Sequence, residues 1–386
     1  QRMFAALDSF PLLAVPAFIL AGEVMNSGGL TKRIVEFSRL LVGHIAGGLG
    51  HVTVLANVIV SGISGSALAE AAGVGSVMIE AMKKQGFHAA FAGSLNAAAS
   101  TIGPLIPPSI PFVIYAVMAS QSAGKMLLAG FAPGILVAIA LMIYSYFVSK
   151  KRGYPVSERA SFGQIWHATL SAFPALMTPF IIIGGKIFGW FTATESACIA
   201  VLYAGLLSLI VYREMDLKGL YGALGETGRL AAVALFCVGT ASAFGWLLAY
   251  YKIPEAILAG VSAWGMGKIA TGFFIAGVFL VVGCFLDAIP AIIIVGTTLQ
   301  PLAESVGMHP VHFAIVGIVS LAFGLITPPY GMCLMISCAV AKVPLRYALK
   351  DTMIMLIPML VVLCLVIIFP DICLFLPRMF SPDMVK

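Results

Sequence analysis

The stretch "TIGPLIPPSIP", residues 101–111, interrupts an apolar run that otherwise has the length and composition of one membrane helix. A second interruption of the same kind, "FGLITPPYG", occupies 323–331 in an equally apolar setting. Proline lacks a backbone donor and its ring clashes with the preceding turn, so each Pro-Pro pair ends a helix where it stands. Hydrocarbon offers no water to the backbone groups so released. Such a break persists only where protein or a cavity supplies partners. One such kink is ordinarily helix packing; two in matching positions point to ion sites.

The rest of the chain agrees with a membrane setting. It is 61% hydrophobic and 10% charged, with 40 glycines and a mean hydropathy of +1.05. No soluble domain buries that much apolar surface, so the sequence is that of an all-α polytopic membrane protein in contact with lipid. The formal charge of +6 is a topology signal and gives no reason to expect a nucleic-acid partner. Seven cysteines (Cys198, Cys237, Cys284, Cys333, Cys338, Cys364 and Cys373) lie in apolar segments without metal-ligand spacing. They read as small packing residues. No GxxxxGK[ST] occurs, which excludes a nucleotide-driven motor within this chain, and no paired-carboxylate, GxSxG or HExxH constellation suggests an enzyme.

Apolar stretches of spanning length fall at about 10–25, 127–149, 168–188, 190–212, 228–250 and 353–377. Two longer regions, 52–82 and 269–305, have apolar arms around a small-residue or acidic centre, "SGISGSA" and "CFLDAIP". Each arm is expected to be too short to span alone, so both regions read as re-entrant helical hairpins. Each is followed by a broken helix, 87–120 and 312–341. The segment "LTKRIVEFSRLLVGH" (30–44) is amphipathic and reads as an interfacial arm.

Loops at 27–51, 83–86, 150–160, 213–229 and 342–352 hold 15 of the 22 basic residues, which assigns them to the cytoplasm. The other seven, from Arg2 to Lys386, then face outward. On that assignment the first hairpin opens inward and the second outward.

An offset of 221 superposes the halves: Gly86 on Gly307, His88 on His309, Gly103 on Gly324, and Pro107-Pro108 on Pro328-Pro329. Ser66 falls on Asp287. With opposite sidedness this is an inverted-topology repeat, the plan of many secondary transporters. The expected organisation is a first repeat over 1–149, a linker and connecting helix over 150–189, and a second repeat over 190–386. The symmetry also predicts a helix before residue 1.

The Gly and Pro-Pro breaks at 103–109 and 324–330 expose carbonyls suited to a hard monovalent cation. The half-helix after each break turns its positive end inward, which suits a carboxylate. Facing the breaks, the hairpin tips add the hydroxyls of Ser64 and Ser66 and the carboxylate of Asp287. An acid at that depth costs about 2.5–3.5 kcal/mol on insertion scales, so it is expected to have a role. Asn96, Ser100 and Thr101 line the approach to the first break, and Thr327 sits in the second; each suits either helix–helix hydrogen bonding or ligand contact. Glu23, Glu70 and Glu80 are explained without transport chemistry by snorkelling or by pairing with Lys83 and Lys84. His309 and His312 lack a third metal ligand nearby in sequence.

Together "FPLLAVPAFILAGEVMNSGGLTKRIV" (10–35), "SGISGSALAEAAGVGSVMI" (61–79), "STIGPLIPPSIPFVIYAV" (100–117), "SAFGWLLAYYKIP" (242–254) and "HFAIVGIVSLAFGLITPPYGMCL" (312–334) resemble the large membrane subunit of TRAP (tripartite ATP-independent periplasmic) transporters. The resemblance covers the whole chain and departs at its start, where the family's first helix is absent. It implies an elevator-type secondary transporter of the ion-transporter superfamily in the bacterial inner membrane. It further implies sodium-coupled import of an organic acid, a small four-helix membrane partner, and a periplasmic binding protein that delivers the substrate. Hairpins and broken helices would form the moving transport domain. On that pattern two or more Na+ ions bind: one at Ser64 and Ser66 with carbonyls around Gly103 and Ile106, another at Asp287 with Gly324 and Thr327. The substrate would lie near Ser66, Asn96, Thr101 and Asp287.

Overall fold

A computed structural model describes residues 1–187, 190–262 and 264–380. The last residue of the stretch expected at 168–188, and Lys386, assigned to the outer side, lie outside the described residues. All regular structure among the described residues is helical. Among the described residues seven helices are long and apolar enough to cross a membrane. Their outward surface carries large apolar side chains such as Phe147, Leu202 and Phe236, all more than half exposed, as a lipid-facing surface requires.

The two halves repeat element for element. The first hairpin is Gly48–Ser64 and Ala67–Lys84; the second is Lys268–Gly283 and Ala288–Ser305. The return arms, of 18 residues each, coincide at the offset of 221. Just past each return arm a glycine takes a left-handed conformation, Gly86 at φ 89° and Gly307 at φ 70°. A histidine then holds the N-cap position of the next helix, His88 in one half and His309 in the other, where its ring accepts from Val311 N. The broken helices are Ala89–Ser100 with Ile110–Met118, and Pro310–Gly324 with Met332–Ala341. Pro107-Pro108 and Pro328-Pro329 sit in the interruptions, both with cis peptide bonds.

Three expectations change. The hairpin arms are longer than expected. At 1.5 Å per residue the 18-residue return arm Ala288–Ser305 is about 27 Å long and reaches spanning length. The helix expected from 228 begins at 217 and runs to Tyr250, because Asp216 caps it through a hydrogen bond from Gly219 N. The stretch expected at 353–377 divides into Leu345–Ile368 and Asp371–Phe380, since Pro370 cannot continue the helix that precedes it.

Side-chain bonds across roughly 250 residues hold the halves together. Asn96 Nδ2 donates to Ser337 Oγ at 2.9 Å, Thr352 Oγ1 donates to Ser94 Oγ at 3.0 Å, and Lys83 Nζ donates to the carbonyl of Ala341 at 2.9 Å. Arg152, the last residue of Ala123–Arg152, grips both carboxylate oxygens of Asp351. The first broken helix, the second broken helix and the first hairpin thus form one packed unit with a buried interior.

The amphipathic segment forms the helix Leu30–Val42. On its exposed face a hydrogen bond from Arg39 holds the Glu36 carboxyl below its ordinary range.

Candidate functional site

At the first tip the chain reverses over Gly65, at φ 59°. A Cβ there would collide with the carbonyl oxygen of Pro108, so the tip and the first break meet backbone to backbone. Ser66 caps the return arm, accepting a hydrogen bond from Ala69 N through its Oγ. At the second tip Asp287 holds the equivalent cap position. Its carboxylate lies against the amides of Ala288 and Ile289, short of a closed capping bond. The superposition of Ser66 on Asp287 therefore holds at the level of local structure.

The two caps share their surroundings. Ser66 and Asp287 both line a small cavity of about 40 Å³ with Gly65, Pro104, Ile110 and Leu325. Both also line a larger cavity of about 530 Å³, which takes in Ser64, Glu23, Arg229 and Cys237. This larger cavity therefore runs from the paired tips to Arg229, in the first half of the long helix Leu217–Tyr250.

The two breaks engage their backbone carbonyls differently. In the first, the turn bonds run from Leu105 N and Ile106 N to Ile102 O, and Ser109 Oγ donates to Pro104 O. These bonds leave the carbonyls of Gly103 and Ile106 uncommitted. In the second, Thr327 N donates to Gly324 O at 2.9 Å, while Thr327 Oγ1 donates to Phe323 O at 2.8 Å. Gly324 rests on the second hairpin, where a Cβ would stand 2.5 Å from the carbonyl carbon of Gly283.

The family profile of the tripartite ATP-independent periplasmic transporter, DctM component, matches residues 1–372. The chain belongs to that family. It is 41% identical over 380 residues to the sialic acid TRAP transporter large permease protein SiaM of Vibrio cholerae, covering 98% of this chain and 89% of that one. It is 35% identical to the 2,3-diketo-L-gulonate TRAP transporter large permease protein YiaN of Escherichia coli, covering 96% and 88%. Against the C4-dicarboxylate TRAP transporter large permease protein DctM of Pseudomonas aeruginosa the identity is 35%, with 98% and 88% covered. Among solved structures, the Alcanivorax borkumensis YdaH transporter superposes with a TM-score of 0.70 at 13% identity, covering 96% of this chain and 88% of that one. That likeness concerns the fold alone. The TRAP permease is thus a multi-pass protein of the bacterial inner membrane, a transport component rather than an enzyme.

Of the residues expected at its site, the permease gathers Ser64, Ser66 and Asp287 at the tips and places Gly103 directly behind them. Gly324 and Thr327 lie in the second break. The side chain of Ile106 turns away, lining a separate apolar cavity with Pro107. Asn96 and Thr101 line neither of the cavities that Ser66 and Asp287 share. Asn96 Nδ2 bonds Ala71 O and Ser337 Oγ, while Thr101 Oγ1 returns to Ala98 O. His312 Nε2 bonds the carbonyl of Val366, and no metal cluster occurs among the described residues.

Glu70 departs from its expected surface role. It is 1% exposed and accepts hydrogen bonds from Ser61 Oγ at 2.9 Å and Ser64 Oγ at 2.6 Å. Lys83 and Lys84 lie at the far end of the return arm, where Lys84 pairs with Glu80. Glu70 stands in the first turn after the tip and folds back on the outgoing arm. An acid one turn beyond "SGSA" in an otherwise uncharged segment is the sequence signal for it.

Proposed function

We propose that this permease imports an organic acid across the bacterial inner membrane using a sodium gradient. Delivery is by a periplasmic binding protein, and a small four-helix membrane subunit stands beside the permease. The observation that carries the reading is the placement of Ser66 and Asp287 as paired helix caps around one cavity, each next to a broken helix.

The donor set suits Na+: hydroxyls, a carboxylate and released carbonyls, with no soft ligand required. Ser64 and Ser66 with the carbonyls of Gly103 and Ile106 would hold one ion. Asp287 with Gly324 and Thr327 would hold a second. The ion supplies positive charge where an entering carboxylate would otherwise meet Asp287 in a low-dielectric setting. The substrate carboxylate lies between the caps, against the positive end of Ile110–Met118. The names of the relatives include sialic acid, diketogulonate and C4-dicarboxylate transporters, and a carboxylate group is common to these molecules.

The repeat order supports an elevator. Hairpins 52–82 and 269–305 and broken helices 87–120 and 312–341 would travel as a transport domain against a scaffold that includes the connecting helix within 150–189. The charge asymmetry of the loops gives the repeats 1–149 and 190–386 opposite sidedness.

The test is uptake of labelled organic acids into proteoliposomes that contain permease and small subunit. Uptake is expected only with Na+ outside and the binding protein present. Equal uptake from choline medium would overturn sodium coupling, and uptake without soluble protein would overturn binding-protein delivery.

A further inference from the structure

Glu70 sits deepest among the acids near the tips, and the coupling scheme above gives it no part. Its residue is 1% exposed, and the two hydroxyls that donate to it belong to Ser61 and Ser64, themselves buried. Among the described residues no Lys, Arg or His forms an ion pair with it. A buried carboxylate with neutral donors alone bears a large desolvation cost, which a bound cation offsets.

Its setting is that of a ligand. A Cβ on Gly103 would lie 2.7 Å from Glu70 Oε1 and 3.1 Å from Ala67 N, so this glycine lets the carboxylate lie against the backbone of the break. The turn bonds of the break leave the Gly103 carbonyl uncommitted. One turn further along the outgoing arm, on the face of Ser61, Asn57 Oδ1 is buried without a hydrogen-bond partner.

The second repeat lacks this arrangement. The position equivalent to Glu70 is Ala291, and there Gly324 closes directly onto Gly283. Each repeat therefore brings one acid to the centre, in different registers: Asp287 on the tip itself, Glu70 one turn beyond it. Cys333, which opens the second half of the second broken helix, lies within electrostatic reach of both carboxylates.

We propose that Glu70 is a direct ligand of an alkali cation in the first repeat, with the hydroxyl oxygens of Ser61 and Ser64 and the carbonyl of Gly103. The assignment rests on the sodium-coupling reading and sharpens it. Ser66, whose oxygen caps the return arm and faces the cavity shared with Asp287, is then free to meet the substrate. Glu70 neutralises this ion within the protein, while Asp287 does so at the surface that the substrate reaches.

The experiment is a thermal-shift titration of the purified permease with NaCl, with choline chloride holding ionic strength constant. Wild-type protein is expected to show a sodium-specific stabilisation. In Glu70→Gln, which keeps the shape and removes the charge but can accept only one of the two serine bonds, the half-saturating Na+ concentration should rise at least tenfold. Ser61→Ala should raise it severalfold, and serves as the deciding variant if Glu70→Gln does not fold. A wild-type midpoint in whichever of these two folds would overturn the assignment and leave the coupling reading intact. A wild-type protein stabilised equally by both salts would overturn the coupling reading, and this assignment with it.

Discussion

The α-carbon of Gly65 lies against the carbonyl oxygen of Pro108, with no room between them for a methyl group. This contact joins the first hairpin to the first break at the level of the proposed sites. Because φ is 59° at Gly65, alanine there is strained by about 1–2 kcal/mol even before the collision. Gly65→Ala is expected to reach the membrane, melt several degrees lower, and lose sodium-driven uptake. Uptake within twofold of wild type would show that tip and break need not touch.

Asp287→Asn keeps the size of the cap and removes its charge. Sodium-driven uptake is expected to fall more than tenfold, while the melting temperature in sodium-free buffer stays within a few degrees of wild type. Ser66→Ala should weaken uptake in the same direction, with a smaller loss. Unchanged sodium dependence in both variants would remove the pair from the site.

Asn96 separates packing from ligand contact. Its amide joins Ala71 and Ser337 across two elements, so Asn96→Ala leaves buried partners unsatisfied at a cost of about 1–3 kcal/mol. The expected result is a lower melting temperature, with the substrate concentration for half-maximal uptake unchanged. A large rise in that concentration at unaltered stability would return Asn96 to the substrate site.

Arg152 and Asp351 tie the last helix of the first repeat to its counterpart in the second. Asp351 is almost wholly buried, its side chain 9% exposed, whereas Arg152 is partly open to solvent at 31%. Removing the arginine therefore leaves the costlier orphan, about 1.5–3 kcal/mol for a hydrogen bond to a charged group. In a double-mutant cycle monitored by thermal unfolding, Arg152→Ala with Asp351→Asn should be less damaging than the sum of the single changes. Strict additivity would show that the pair contributes no coupling.

The element order was legible because membrane helices carry their signal in composition, and the breaks because Gly and Pro-Pro are rare inside such runs. Helix ends were less so. The start at Leu217 depends on the Asp216 cap, in a segment whose polar residues obscure the hydropathy signal. The role of Asn96 depended on Ser337, a partner 241 positions away that no local pattern announces. Glu70 was visible as an acid in a greasy arm, but the lysines at the end of the same arm offered a cheaper explanation. Only the fold back toward Ser61 and Ser64 excludes it.

Cys237 gives the larger cavity a native chemical reporter. It shares that lining with Ser66 and Asp287, whereas Cys333 and Cys373 are buried. With exposed Cys198 and half-buried Cys364 replaced by serine, modification of Cys237 by a membrane-impermeant maleimide would follow whether the passage is wet. Its rate, compared with and without Na+ and substrate, would time the opening of one side against the closing of the other.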